Sequence, residues 1–135
     1  MDLPANKYHE LDCYYTWMGE DGIARTKVKK GAEIKLDDAK ANSVVVNQLA
    51  EGSYSIIVDT TEITSITKEA RDFFSIQNRK SKINGIAIIQ NSILGNMVAN
   101  FFIGINRPTV PVKLFKKEAE AIEWCKKISA EVHAN

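Results

Sequence analysis

Strand-like runs at 54–58, 83–89 and 112–115 alternate with stretches whose apolar residues recur at helical spacing. Runs of only four to seven residues, too short for helices, suit strands buried on both faces. Strands separated by helix-length segments cannot pair through tight turns, so they imply βαβ units and a parallel sheet. This alternation constrains the fold more than any other feature of the chain.

The flanking segments complete the order. Residues 8–18 read as one strand, with Tyr14, Tyr15 and Trp17 giving it a strand's aromatic bias. Gly19-Glu20-Asp21-Gly22 is a turn, and 23–28 returns as the second arm of an antiparallel hairpin. A helix over 37–50 opens on Asp37 and Asp38, is terminated by Gly52, and faces the core with Ala41, Val44, Val45 and Leu49. Helices follow over 67–76, with Thr67 as N-cap and Ala70, Phe73 and Phe74 inward, over 92–105, and over 117–130. The last presents Ala121, Ile122, Trp124, Cys125 and Ile128 on one side. The expectation is an α/β fold: an N-terminal hairpin, then alternating helices and strands, in a mixed, mostly parallel sheet of about five strands with about four helices. A length of 135 residues and the absence of a linker or repeat predict one domain over 1–135.

Composition excludes several functions. A formal net charge of +1 gives no basic face for nucleic acid. Residues 1–7 hold no apolar run and predict no signal peptide. The longest apolar stretch, 93–105, would span about 20 Å as a helix against about 30 Å of bilayer hydrocarbon, so no transmembrane segment is expected. Cys13 and Cys125 stand far apart outside any CxxC motif, which fits a reduced, cytoplasmic setting. Cys13 reads as a strand residue and Cys125 as a small buried hydrophobe. His9 and His133 belong to no metal motif, and no glycine-rich phosphate loop is present, so neither metal nor cofactor is expected.

Two regions are candidate sites. The hydroxyl-rich loop 60–67 lies at the carboxyl end of a strand, where open α/β sheets place ligands, and leads into a helix N-terminus able to hold an anion. Asp59, Thr64, Ser65, Thr67, Lys68, Glu69 and Ser92 form the candidate regulatory or anion-binding loop. Phosphate on Ser65 or Thr67 would add negative charge there, opposed by Glu69. The same residues also read as plain capping, with Thr67 accepting from the amide of Glu69 or Ala70. Asp59 ends a strand, as many catalytic acids do, yet it has no matched acid, base or metal partner and reads equally as a turn cap.

The helix at 92–105 is the second region. Leu94, Met97, Val98, Phe101 and Phe102, with Ile93 and Ile105, fill about half its circumference, more than a sheet-covering stripe requires. Gly95 and Ala99 stand four apart on a neighbouring face, where another backbone could approach. The surplus leaves three alternatives open: packing under the domain's own loops, a homodimer or protein-partner surface, or the wall of an apolar small-molecule pocket.

Two stretches carry a resemblance: Ile56-Ile57-Val58-Asp59 with the loop and Lys68-Glu69-Ala70 behind it, and Val110-Pro111-Val112-Lys113-Leu114-Phe115 with Glu118, Ala119, Ala121, Ile122, Glu123 and Trp124. With the element order, they make the chain resemble the STAS (anti-sigma-factor-antagonist) family, and within it the bacterial SpoIIAA-like proteins. The resemblance implies the α/β scaffold and a non-enzymatic, regulatory role exercised by binding a protein partner. The anti-sigma antagonists carry Asp-Ser-Ser-Gly at the turn matching 64–70, with a phosphorylated serine. Here Thr67-Lys68-Glu69-Ala70 replaces it, and the phosphorylated position falls on Lys68 or Glu69. CRAL-TRIO lipid-binding domains have a related strand and helix arrangement, which supports the apolar-ligand alternative.

Overall fold

The computed structural model describes residues 1–5, 7–80, 82–91 and 110–134, and side chains outside 75–80 and 133–134. The elements run β1 (His9–Glu10), β2 (Tyr14–Met18), β3 (Ala24–Val28), β4 (Ala32–Ile34), α1 (Leu36–Leu49), β5 (Tyr54–Asp59), β6 (Ile63–Ile66), α2 (Lys68–Lys80), β7 (Ile83–Ile89), β8 (Val112–Phe115) and α3 (Glu118–Ala134). Six strands form one sheet in the order β1-β2-β3-β5-β7-β8, and β4 and β6 form a separate two-stranded parallel ribbon. Within the large sheet the β1-β2-β3 pairings are antiparallel and the β3-β5-β7-β8 pairings parallel. The mixed, mostly parallel α/β expectation therefore holds, with six strands in the sheet rather than five, and with three helices among the described residues. The helix expected over 92–105 lies outside those residues.

The extra strand arises because 8–18 is not one strand. Leu11 N donates to Tyr14 O at 2.8 Å, closing a turn through Asp12 and Cys13. His9 and Glu10 then pair back against Thr16 and Tyr15. Cys13 sits in that turn rather than in a strand, buried, with Sγ 3.7 Å from Glu33 O. The β2–β3 hairpin forms where Asp21-Gly22 marked it. Gly22 adopts φ 78°, and Asp21 Oδ1 accepts from Ile23 N at 3.1 Å.

Period-two alternation divides the sheet residues between two faces. On one face Ile57, Ala87, Ile89 and Phe115 pack beneath Ala121 and Cys125 of α3, with Ile122 and Trp124 at the margin. Ile57 is fully buried, which contributes about 2 kcal/mol. The expected inward side of the last helix is therefore the observed one. Gly85 allows this approach, because a Cβ there would lie 3.2 Å from Trp124 Cη2.

The opposite face carries α1 and α2. Here the expected stripe of α1 is out of phase. Ala39, Asn42 and Val46 are buried, while Ala41 is exposed and Val44 is 55% exposed. The reason is Asn42: its polarity suggested an outward position, yet hydrogen bonds to Thr16 and Thr26 pay its burial cost. The helix also ends before Gly52. Ala50 is its C-cap in extended conformation, with its amide on Val46 O at 3.2 Å. At the other end Asp38 Oδ2 accepts from Lys35 N at 2.9 Å. Ala70, Phe73 and Phe74 of α2 do face inward, joining Tyr14, Val28, Ile34, Ala39 and Ile63. The helix runs on to Lys80, beyond the expected 76, and α3 runs on to Ala134.

Candidate functional site

Much of the hydroxyl-rich loop is committed to structure. Residues 63–66 form β6, whose Ile63 is buried and whose Ile66 packs against the same cluster. Thr60 Oγ1 donates to Ile89 O at 3.0 Å, tying the end of β5 to β7. Thr61 donates from its amide (3.0 Å) and its hydroxyl (2.7 Å) to Asp59 Oδ1. Thr67 Oγ1 accepts from Ala70 N at 3.2 Å, the N-cap that its position predicted. Thr64 remains exposed and Ser65 half-buried, and Lys68 and Glu69 are exposed at the start of α2. Lys68 Nζ lies 3.2 Å from Asp72.

Asp59 is 1% exposed. Its second oxygen lies 3.2 Å from the Met1 amino nitrogen. One oxygen thus caps the turn and the other pairs with an ammonium, so the carboxylate is consumed by structural contacts. Among the described connections, α1 and α2 both lie on the same face of the sheet. Ser92, and with it Leu94, Met97, Val98, Phe101 and Phe102, lies outside the described residues. The structure gathers Asp59 to Glu69 at one end of the sheet.

A different site exists. A cavity of about 120 Å³ lies between α1, the β4–β6 ribbon and the sheet face bearing Ile56, Val58, Ile86 and Ile88. Its described wall is mostly aliphatic and aromatic, with Val46 of α1 and Phe74 of α2 in it, and the cavity is partly open. Among its polar residues, Thr26 and Asn42 bond each other at 3.3 Å, and Thr60 bonds Ile89. Tyr54, Ser43 and Asn47 also line it, and so does Tyr14, 2% exposed, whose hydroxyl is buried without a hydrogen-bond partner. Burial pushes that phenol far above its ordinary range, so it stays protonated. Sequence reasoning missed this site because its walls come from nine of the described elements, far apart in the chain. The available signal was the alternation of Tyr14 with Thr16, and of Thr26 with Val28, opposite an asparagine on a helix.

Both cysteines are free and buried, and burial pushes each thiol up to about 11. Among the described residues, no three His, Cys, Asp or Glu side chains converge as a metal site, and no helix is long and apolar enough to cross a membrane.

A mixed-sheet α/β scaffold with an apolar cavity on one sheet face is the class that fold and site define, and a solved structure shares the scaffold. The chain belongs to the family described as a domain of unknown function, DUF7793, whose model matches residues 16–129. It is similar to the crystal structure of an uncharacterised DUF3478-family protein with a SpoIIAA-like fold from Shewanella loihica PV-4. The identity is 18% over 93% of this chain and 98% of that chain, with a TM-score of 0.60. The fold is therefore SpoIIAA-like, as the resemblance implied. No curated protein matches the chain.

Proposed function

We propose that the protein is a non-enzymatic, STAS-like binding module whose ligand is an apolar small molecule held in the cavity between α1 and the sheet. The observation that carries this reading is the cavity itself, whose wall is mostly apolar among the described residues. Emptying such a space of atoms forfeits dispersion contacts, and an apolar guest restores them. A void of about 150 Å³ lined by aliphatic side chains stays dry and takes benzene. The test is an NMR titration of the protein with toluene. Saturable binding with shifts at Val46, Ile56 and Ile86 is expected, and Val46→Trp, which fills the space, should abolish it. A folded parent that shows no saturable binding would remove the reading.

A protein-partner role is the second reading. Thr64, Lys68 and Glu69 are exposed together where β6 meets α2. Of the two hydroxyls expected to take phosphate, Thr67 caps α2 and Ser65 is half-buried, so the exposed Thr64 beside them is the more accessible acceptor. Mass spectrometry of the protein from its native cell tests this. A Thr64→Glu variant that captures the same partners as the parent would count against it.

A further inference from the structure

A buried carboxylate needs a cation, and Asp59 finds one in a main-chain amine. We infer that the α-amino group of Met1 is a modification-sensitive latch. Free, it locks residues 1–5 against the carboxyl end of β5; an acyl group on that nitrogen opens the strap.

Two observations meet at Met1. The first is charge. Asp59 is 1% exposed, its Oδ1 accepts both Thr61 donors, and its Oδ2 lies 3.2 Å from the Met1 amino nitrogen. Thr61 supplies neutral donors, so the ammonium is the counter-charge of this carboxylate. Lys27 stands opposite Asp59 in the β3–β5 register and makes no ion pair with it. Removing one member of a buried pair leaves the other with its desolvation cost uncompensated. The second observation is packing. Met1 is half-buried, and its side chain lies against the cluster of Ile23, Ile57, Ile89 and Phe115 beneath α3. Asp2, Leu3 and Ala5 are exposed, so the strap is fastened chiefly at Met1. Acetylation by an acyl thioester forms the N–C bond, breaks the C–S bond and releases the thiol and a proton. The product is a neutral amide, which keeps one N–H and no charge for Asp59.

Four proteins test this: the chain with a free Met1 amine, the same chain acetylated on that nitrogen by a co-expressed acetyltransferase, and Asp59→Asn in each form, all verified by intact mass. Asp59→Asn keeps an acceptor for Thr61 and removes the charge. A hydrogen bond to a charged group is worth roughly a tenfold change in an equilibrium constant. Acetylation should therefore raise the parent's unfolding constant in urea about tenfold, and lower the heteronuclear NOE at Asp2, Leu3 and Ala5. In Asp59→Asn it should change the constant by less than about twofold. An acetylated parent with the stability and NOE values of the free form overturns the inference, and so does an equal loss in both backgrounds. If Asp59→Asn does not fold, the NOE comparison of the two parent forms decides. Terminal sequencing of the protein from its native cell adds one more outcome: a Met1 nitrogen joined to a preceding residue overturns the latch.

Discussion

Thr16 on β2 donates its hydroxyl proton to Asn42 Oδ1 on α1, across a layer from which water is excluded. Since that proton is spent, the 3.1 Å contact between Thr16 and Thr26 must use the Thr26 proton, and Asn42 Nδ2 donates back to Thr26 Oγ1 at 3.3 Å. The three side chains close a ring, and the ring sets the rotation of α1 on the sheet.

Breaking the ring on one side should be worse than removing it. Asn42→Leu leaves two buried hydroxyls with fewer partners and is expected to cost about 2 kcal/mol. The triple variant Thr16→Val, Thr26→Val, Asn42→Leu should recover most of that loss. Urea unfolding midpoints of the parent, single and triple variants check the ordering.

Acid should weaken the hairpin through Asp21. Both its oxygens accept from Arg25, at 2.8 and 2.9 Å, and those bonds hold its carboxyl below the ordinary carboxylate range. A carboxyl depressed in the native state adds stability that is present above its unfolded pKa of about 3.9. That contribution is lost as pH falls through the lower native value. Asp21→Asn should cost about 1 kcal/mol at pH 7, limited by partial solvent screening. The gap to the parent should close towards pH 3, as urea unfolding at pH 7, 5 and 3 would show.

Asp59→Ala should destabilise without exposing a catalytic function. It strips the acceptor from both Thr61 donors and leaves the Met1 ammonium unpaired. The expected loss is about 2 kcal/mol, read from thermal or urea unfolding. Toluene binding at temperatures where the variant is folded should be unchanged.

Gly85→Ala tests how tightly α3 lies on β7. The new methyl would meet Trp124 Cη2 at 3.2 Å and Ile128 Cγ2 at 3.4 Å. Overpacking of that size should cost about 1 kcal/mol. Trp124→Phe removes the closer atom, so Gly85→Ala should be less costly in that background. A double-mutant cycle of unfolding free energies measures the difference.

Local chemistry was legible in the sequence. The bounds of β7 and β8 match the expected runs, the Asp21-Gly22 turn forms, and Thr67 caps α2. Each depends on neighbours a few residues away. The inward face of α1 was not legible, because Asn42 is buried only by virtue of threonines 16 and 26 residues distant. Nor was the β4–β6 ribbon, whose partners Ala32 and Ile63 have α1 and β5 between them. The loop read as a hydroxyl-rich site contains, in Ile63 and Ile66, the apolar anchors of that ribbon.

By itself the sequence determined the alternation of strand and helix, the hairpin and the inward side of the last helix, and its motifs carried the resemblance to the SpoIIAA-like scaffold. The first three follow from backbone sterics and hydrophobic period, which act over a turn or a strand. Tertiary structure alone decided that Asp59 is spent on Thr61 and the Met1 amine, and that Tyr14 holds an unanswered hydroxyl at an apolar void. Both outcomes depend on which distant atoms arrive in hydrogen-bonding range, and no periodicity in the chain encodes that.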